Sequence, residues 1–164
     1  MENLLEHLVD YVGQNFADAK LVDEDYGQLE MLDDPNRDTY PLVYPAVLID
    51  APDTTWSNVE GRNQLGTAQV RVRLVLDCYD DTHYGSGTTD RIAAREEQRR
   101  RLHVLLQGHR IGEEQALVRT ASRFYTANHG IKVYEATYTV GVAEYIDKEL
   151  EPVKATVRIT TAVR

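Results

Sequence analysis

The sequence predicts an α+β domain: one mostly antiparallel β-sheet packed against an N-terminal helix and a central helix. Three observations predict it. Residues 2–18 put Leu5, Leu8, Val9, Val12 and Phe16 on one helical stripe, with Glu2, Glu6 and Asp10 on other faces. Residues 68–78 alternate as a strand does, with Ala68, Val70, Val72, Leu74, Leu76 and Cys78 on one side. From Leu117 onward the chain falls into three further strand patterns separated by turn residues.

Taken in order, the elements are these. The N-terminal helix lays one stripe on something flat. A stretch dense in Asp, Glu, Asn and Gly follows at about 23–40, with Pro35 inside it, and is expected to be a long acidic loop, with room for a short strand near Leu29–Leu32. Leu42-Val43-Tyr44-Pro45-Ala46-Val47-Leu48-Ile49 is continuously apolar, as in a strand buried on both faces, with Pro45 near its start. Residues from about 52 to 65 carry Pro52, Asp53, Asn58, Gly61 and Asn63, which predicts a second long loop, and Trp56 sits in this polar stretch. In the strand at 68–78 the second side holds Gln69, Arg71, Arg73, Val75 and Asp77, a basic face that must meet solvent, a partner or acids. A turn-rich segment from Asp80 to Gly87 leads to a helix over about 90–107, with a cap among Thr88, Thr89 and Asp90 and a stop at Gly108. Strands over 117–126, 131–146 and 153–163 then suggest a meander.

The 164 residues are expected to form a single domain with a substantial core. Cys78 has no partner for an internal disulfide and reads as a buried thiol of a reducing compartment. No apolar run approaches a membrane span, and the acidic start of the chain is unlike a secretion signal, so a soluble, untargeted protein is expected. A net charge of −9 argues against specific nucleic-acid binding. That charge is lopsided. Residues 1–61 hold 14 acids against two bases, and residues 62–164 hold 13 acids against 16 bases. One subunit's acidic part can therefore meet another's basic part, a head-to-tail contact able to close a ring.

No catalytic constellation emerges. Gly85-Ser86-Gly87-Thr88-Thr89 lacks the lysine of a phosphate-binding loop and reads as a turn with a helix cap. Asp77, Asp80, Asp81 and His83 lack the alternation and final glutamate of a calcium loop. The five histidines show no zinc-ligand spacing, and no serine lies in a nucleophile elbow. Cofactors, metals and catalytic residues are therefore expected to be absent. The ten tyrosines suit either a core or an interface. In the central helix Leu102, Leu105 and Leu106 form an apolar face, while Arg95 and Arg99 project from nearly the same side one and two turns earlier. Arg91, Arg95 and Arg99 are therefore candidates to reach a neighbouring subunit. Asp33 and Asp34 of the acidic segment are their natural partners by charge, and Trp56 joins the candidate interface.

Several features resemble the tail terminator and tail-completion proteins of long-tailed bacteriophages. They are the amphipathic first helix, the Tyr44-Pro45-Ala46-Val47-Leu48-Ile49 strand, and the Gly66-x-x-Gln69 entry into an alternating strand. The acidic turn, the helix ending Leu102-x-x-Leu105-Leu106-x-Gly108, and late strands carrying Arg119 and Tyr138 complete them. The resemblance implies an α+β subunit that self-associates into a ring, often a hexamer, at the head-proximal end of the tail tube. Such a ring caps the tube and meets the head connector. It implies residence in the host bacterial cytoplasm during assembly and then in the virion tail, with no enzymatic activity. Two other functions stay open: a small-ligand-binding or regulatory α+β domain, and a metal-dependent hydrolase using Asp77, Asp80 and Asp81.

Overall fold

The computed structural model describes residues 2–33, 42–111 and 115–145. Its elements in chain order are α1 (Glu2–Asn15), β1 (Leu21–Glu24), a 3-10 turn (Glu30–Asp33), β2 (Ala46–Glu60), β3 (Asn63–Asp77), α2 (Asp90–Leu106), β4 (Val118–Thr126) and β5 (Ile131–Glu144). The fold is α+β. Five strands form one mixed sheet in the order β1-β2-β3-β5-β4. Among the described strands only the β1–β2 pair is parallel.

The alternation of β3 organises the molecule because β3 lies at the centre of the sheet. Its even residues Ala68, Val70, Val72, Leu74 and Leu76 join Val47 and Ile49 of β2 and Tyr138, Val140 and Val142 of β5 in one core. That core lies under the helices. Helix α1 buries Leu4, Leu8 and Val12, spaced four residues apart, with Phe16 just beyond its end. Helix α2 buries only Leu102 and Leu106, both in its second half. It stops where expected, with Gly108 at φ 82°, a conformation that a side chain would strain. The opposite face of the sheet has a smaller core of Leu29, Ala46, Leu48, Val75, Ile131 and Val133. The segment around the 3-10 turn covers it.

The structure corrects several expectations. The 52–65 segment is not a loop. It is the far half of the β2–β3 hairpin, paired from Asp53↔Gln69 to Glu60↔Asn63. Its residues are polar because most of them are exposed and, on β2, only Thr54 and Trp56 are half-buried there, so no apolar alternation marks the strand. The expected loop at about 23–40 begins inside β1, which pairs from Leu21↔Ala46 to Glu24↔Ile49. The turn at Glu30–Asp33 takes the place of a short strand near Leu29–Leu32; the rest of that segment, 34–41, lies outside the described residues. The run starting at Leu42 enters the ladder only at Ala46, beyond Pro45.

The meander is also revised. Strands β4 and β5 are neighbours, but β3 occupies the other side of β5 from Ile131 to Glu144. The β4 side of β5 is paired over Lys132–Thr139, and the third strand expected at 153–163 lies outside the described residues.

Trp56 is not set apart from the core. It pairs with Gly66 across the hairpin and packs half-buried on the helix-side core. A Cβ on Gly66 would stand 2.7 Å from the indole ring, so glycine is what allows Trp56 to lie flat on the strand. Gly66→Ala should therefore destabilise the protein by about 1–3 kcal/mol through overpacking. It should also shift Trp56 fluorescence, read in the same urea titration. Unchanged stability and emission would show that Trp56 is not seated on Gly66.

Candidate subunit interface

The arginines chosen from the helical pattern do not share one fate. Arg91 lies exposed on the first turn of α2. Arg95 turns inward: its side chain is 14% exposed, and Nη1 lies 3.7 Å from Asp80 Oδ2. That separation is an ion pair without a hydrogen bond. Arg95 is thus taken up within its own subunit rather than projecting towards a neighbour. Arg99 grips Glu96 of its own helix, with Nε 2.8 Å from Oε2 and a second bond from Nη2 to Oε1. Asp33 ends the 3-10 turn, and Asp34 lies outside the described residues. Trp56 borders a separate cleft with Asn3, His7 and Gln115. Trp56 thus lies apart from the three arginines, and the side chains of Asp33 and Asp34 are outside the described residues.

The structure assembles a different surface. Between α2 and strands β4 and β5 runs a groove of about 670 Å³. Its wall is apolar, built from Leu74, Ile92, Leu102, Phe124, Tyr134 and Ala136. The Phe124 and Tyr134 rings stack at 4.5 Å across the strand pair. Polar groups converge at one end. His103 Nδ1 lies 3.0 Å from the Tyr138 hydroxyl. Burial pushes the Tyr138 hydroxyl up to about 12, against the pull of Arg119 and Arg99. Burial lowers the His103 value, and the same two arginines lower it further. Arg119 reaches this site because it faces Tyr138 across the β4–β5 ladder. No carboxylate pairs with Arg119 among the described residues.

The groove exists because α2 touches the core only with its second half. Its first turns, from Arg91 to Ala94, are exposed, and so are seven of the nine residues of β4. Phe124 is 53% exposed. Among the described residues strand β4 is the edge of the sheet, and none of them pairs with its outer side. The sequence pattern pointed to α2 as an unusual helix but named the arginines on its core side. His103, Phe124 and Tyr134 were not singled out as a surface. The available signal was the pairing of Arg119 with Tyr138, which requires the strand register.

The basic face of β3 meets acids, one of the three outcomes its sequence allowed. Arg71 Nη2 lies 2.7 Å from Asp50 Oδ2. Arg73, 6% exposed, has Nε 2.9 Å from Asp25 Oδ2 and Nη1 2.5 Å from Glu30 Oε1. Glu135 stands 3.6 Å away and is itself held by Arg123 through bonds of 2.8 and 2.9 Å. Burial alone would lower the Arg73 value, but Asp25 and Glu30 outweigh it and the net shift is upward. Asp25 also moves up, because the burial of its side chain (1% exposed) outweighs the attraction of Arg73.

A third polar cluster ties α1 to the turn after α2. His7 Nε2 and His109 Nε2 lie 3.0 Å apart, and the Tyr11 ring stacks on His109 at 3.6 Å. The rings meet edge to edge, which is the geometry of an N–H···N bond. Among the described residues no group of three or more His, Cys, Asp or Glu side chains converges as a metal site. Asp81 instead bonds His83 at 2.6 Å. Cys78 is half-buried, and burial raises its thiol value. No described helix is long and apolar enough to cross a membrane. No protein-family model matches the chain, and no curated protein matches it in sequence.

Asp25 gives a pH test of this arrangement. Its folded value lies above the unfolded value of about 3.9, so its contribution is fully present below that pH and is lost as pH rises through the folded value. Asp25→Asn removes this titration. The stability of the variant relative to wild type should therefore rise between about pH 4 and pH 7 in urea melts. A difference that falls over that range would mean that Arg73 dominates and the Asp25 value is lowered.

Proposed function

We propose that this chain is a structural assembly subunit of a phage or prophage tail, acting in a ring that caps the tail tube and joins it to the head connector. The observation that supports this most is the open side of the sheet. An exposed edge strand, a half-lifted helix and the apolar groove between them form a large contact surface that no other described residue covers. The lopsided charge of the chain suits a head-to-tail contact, which closes rings. The sequence likeness to tail-completion proteins supplies the biological setting, and a hexamer is the ring size it favours. The tube protein and the connector are the partners on this reading, with no catalytic step.

A second reading has an observation of its own. A groove of about 670 Å³ with an apolar wall and His103, Tyr138 and Arg119 at one end lies within the range of small-molecule sites. A non-catalytic ligand-binding or regulatory domain would use it for an anionic, apolar-bodied compound.

Tube growth separates the two. The purified chain is added to polymerising tail-tube protein, and gold-labelled chain is located by electron microscopy. The tail reading expects label at one end of each tube and growth arrested there. Unrestricted growth, with label absent or scattered along the walls, would exclude it.

A further inference from the structure

The α2–β4 groove has an apolar wall and one half-buried cation, Arg119, for which the described residues supply no acid. Its other charges are already matched: Arg99 holds Glu96, and Arg123 holds Glu135. An occupant must therefore present apolar side chains together with carboxylates. The chain carries such a segment just past β5. Residues 146–151 read Ile-Asp-Lys-Glu-Leu-Glu, three acids against one base, with Ile146 and Leu150 as apolar anchors.

We propose that the groove takes residues 146–151 of a second copy of this chain, with Arg119 facing their carboxylates and Ile146 and Leu150 against Phe124 and Tyr134. This rests on the ring reading and names the contact that would build the ring. Chain reach excludes the subunit's own segment. Strand β5 leads away from the groove, and Tyr145 stands eleven residues past Tyr134, about 36 Å along the strand. Leu150 is five residues further on, and five extended residues span at most about 18 Å, so the subunit's own Ile146 and Leu150 cannot reach Tyr134 or its cross-strand neighbour Phe124. The following residues, 152–164, hold Lys154, Arg158 and Arg164 and no acid, so they do not match the groove's cation. A contact in which the end of one subunit's β5 enters the next subunit's groove is head-to-tail, as a closed ring requires.

The test uses the full-length chain and a fluorescent peptide spanning residues 145–152, followed by anisotropy. Wild type should bind the peptide. Arg119→Glu should weaken binding at least tenfold, whereas Arg119→Lys, which keeps the charge, should stay within about threefold. Melting temperatures of both variants separate loss of the site from loss of the fold. A peptide with Asp147, Glu149 and Glu151 replaced by lysine should fail on wild type and regain binding on Arg119→Glu. Equal binding to all three proteins, or no binding to wild type, would overturn the assignment. Decanoate is titrated as a second probe: binding of decanoate that Arg119→Glu abolishes and that the peptide does not compete with would also overturn the assignment and make the groove a small-acid site. The tube-capping experiment decides the ring reading separately: capping without peptide binding defeats this contact alone, and peptide binding without capping defeats the ring alone.

Discussion

A buried charge on the central strand governs how this chain is arranged. Arg73 lies on β3 with its side chain almost out of solvent, and it cannot shed its proton. An unpaired cation in that position would cost several kcal/mol, and removing one partner of a buried pair typically costs about 3–5 kcal/mol. Asp25, Glu30 and Glu135 answer it from three different stretches of chain. Two of the three come from the acidic N-terminal region. The charge density that looked like a solvated loop is therefore partly structural: it holds the segment around the 3-10 turn over the second face of the sheet. Gln28 is buried there as well, bonding the Glu24 carbonyl at 2.6 Å and accepting from the Tyr26 amide at 2.9 Å.

With the second face covered in this way, both helices are free to lie on the first. Helix α1 covers the β1–β2 side through a four-residue repeat of apolar side chains. Helix α2 has too few apolar residues to cover the rest. Only Leu102 and Leu106 are buried, and its first three turns carry Arg and Glu pairs such as Glu96–Arg99 and Glu97–Arg100. Among the described residues the outer strands β5 and β4 are left with one face half-covered and one edge unpaired. A long exposed edge is a hazard for a protein that works alone. Strand β4 tempers it with a bulge between Arg119 and Ala121 and with polar residues such as Thr120, Ser122 and Arg123. For a protein that works in a ring, the same edge is a place to join.

The sequence made some of this legible and hid the rest for physical reasons. Strict alternation in 68–78 revealed β3, and the polar half of that alternation raised the need for acids. The four-residue repeat in α1 and the glycine stop after α2 were equally plain. The far half of the β2–β3 hairpin was hidden because exposed strands carry no apolar period, and Trp56 misled because its support is a glycine on the neighbouring strand. Strand β1 has only Leu21 and Val22 as apolar residues and gains its ladder from β2. The helical wheel placed Arg95 and Arg99 correctly on the core side of α2. It could not show that Asp80, from the preceding turn, would receive Arg95, nor that Glu96 would neutralise Arg99. Arg119, the cation left over, becomes visible only when β4 and β5 are in register.

The central claim, which rests on the proposed ring, is that the β4 edge and the lifted start of α2, which no other described residue covers, are surfaces of assembly. Amide hydrogen exchange measures this most directly, comparing the chain alone with the chain bound to tube ends. The account predicts that amides of Val118–Thr126 and of the first turns of α2 gain strong protection on assembly. Those of β3 around Arg73 should already be protected and should not change. Unchanged exchange across β4 and α2 in the assembled particle, with protection appearing elsewhere, would contradict it.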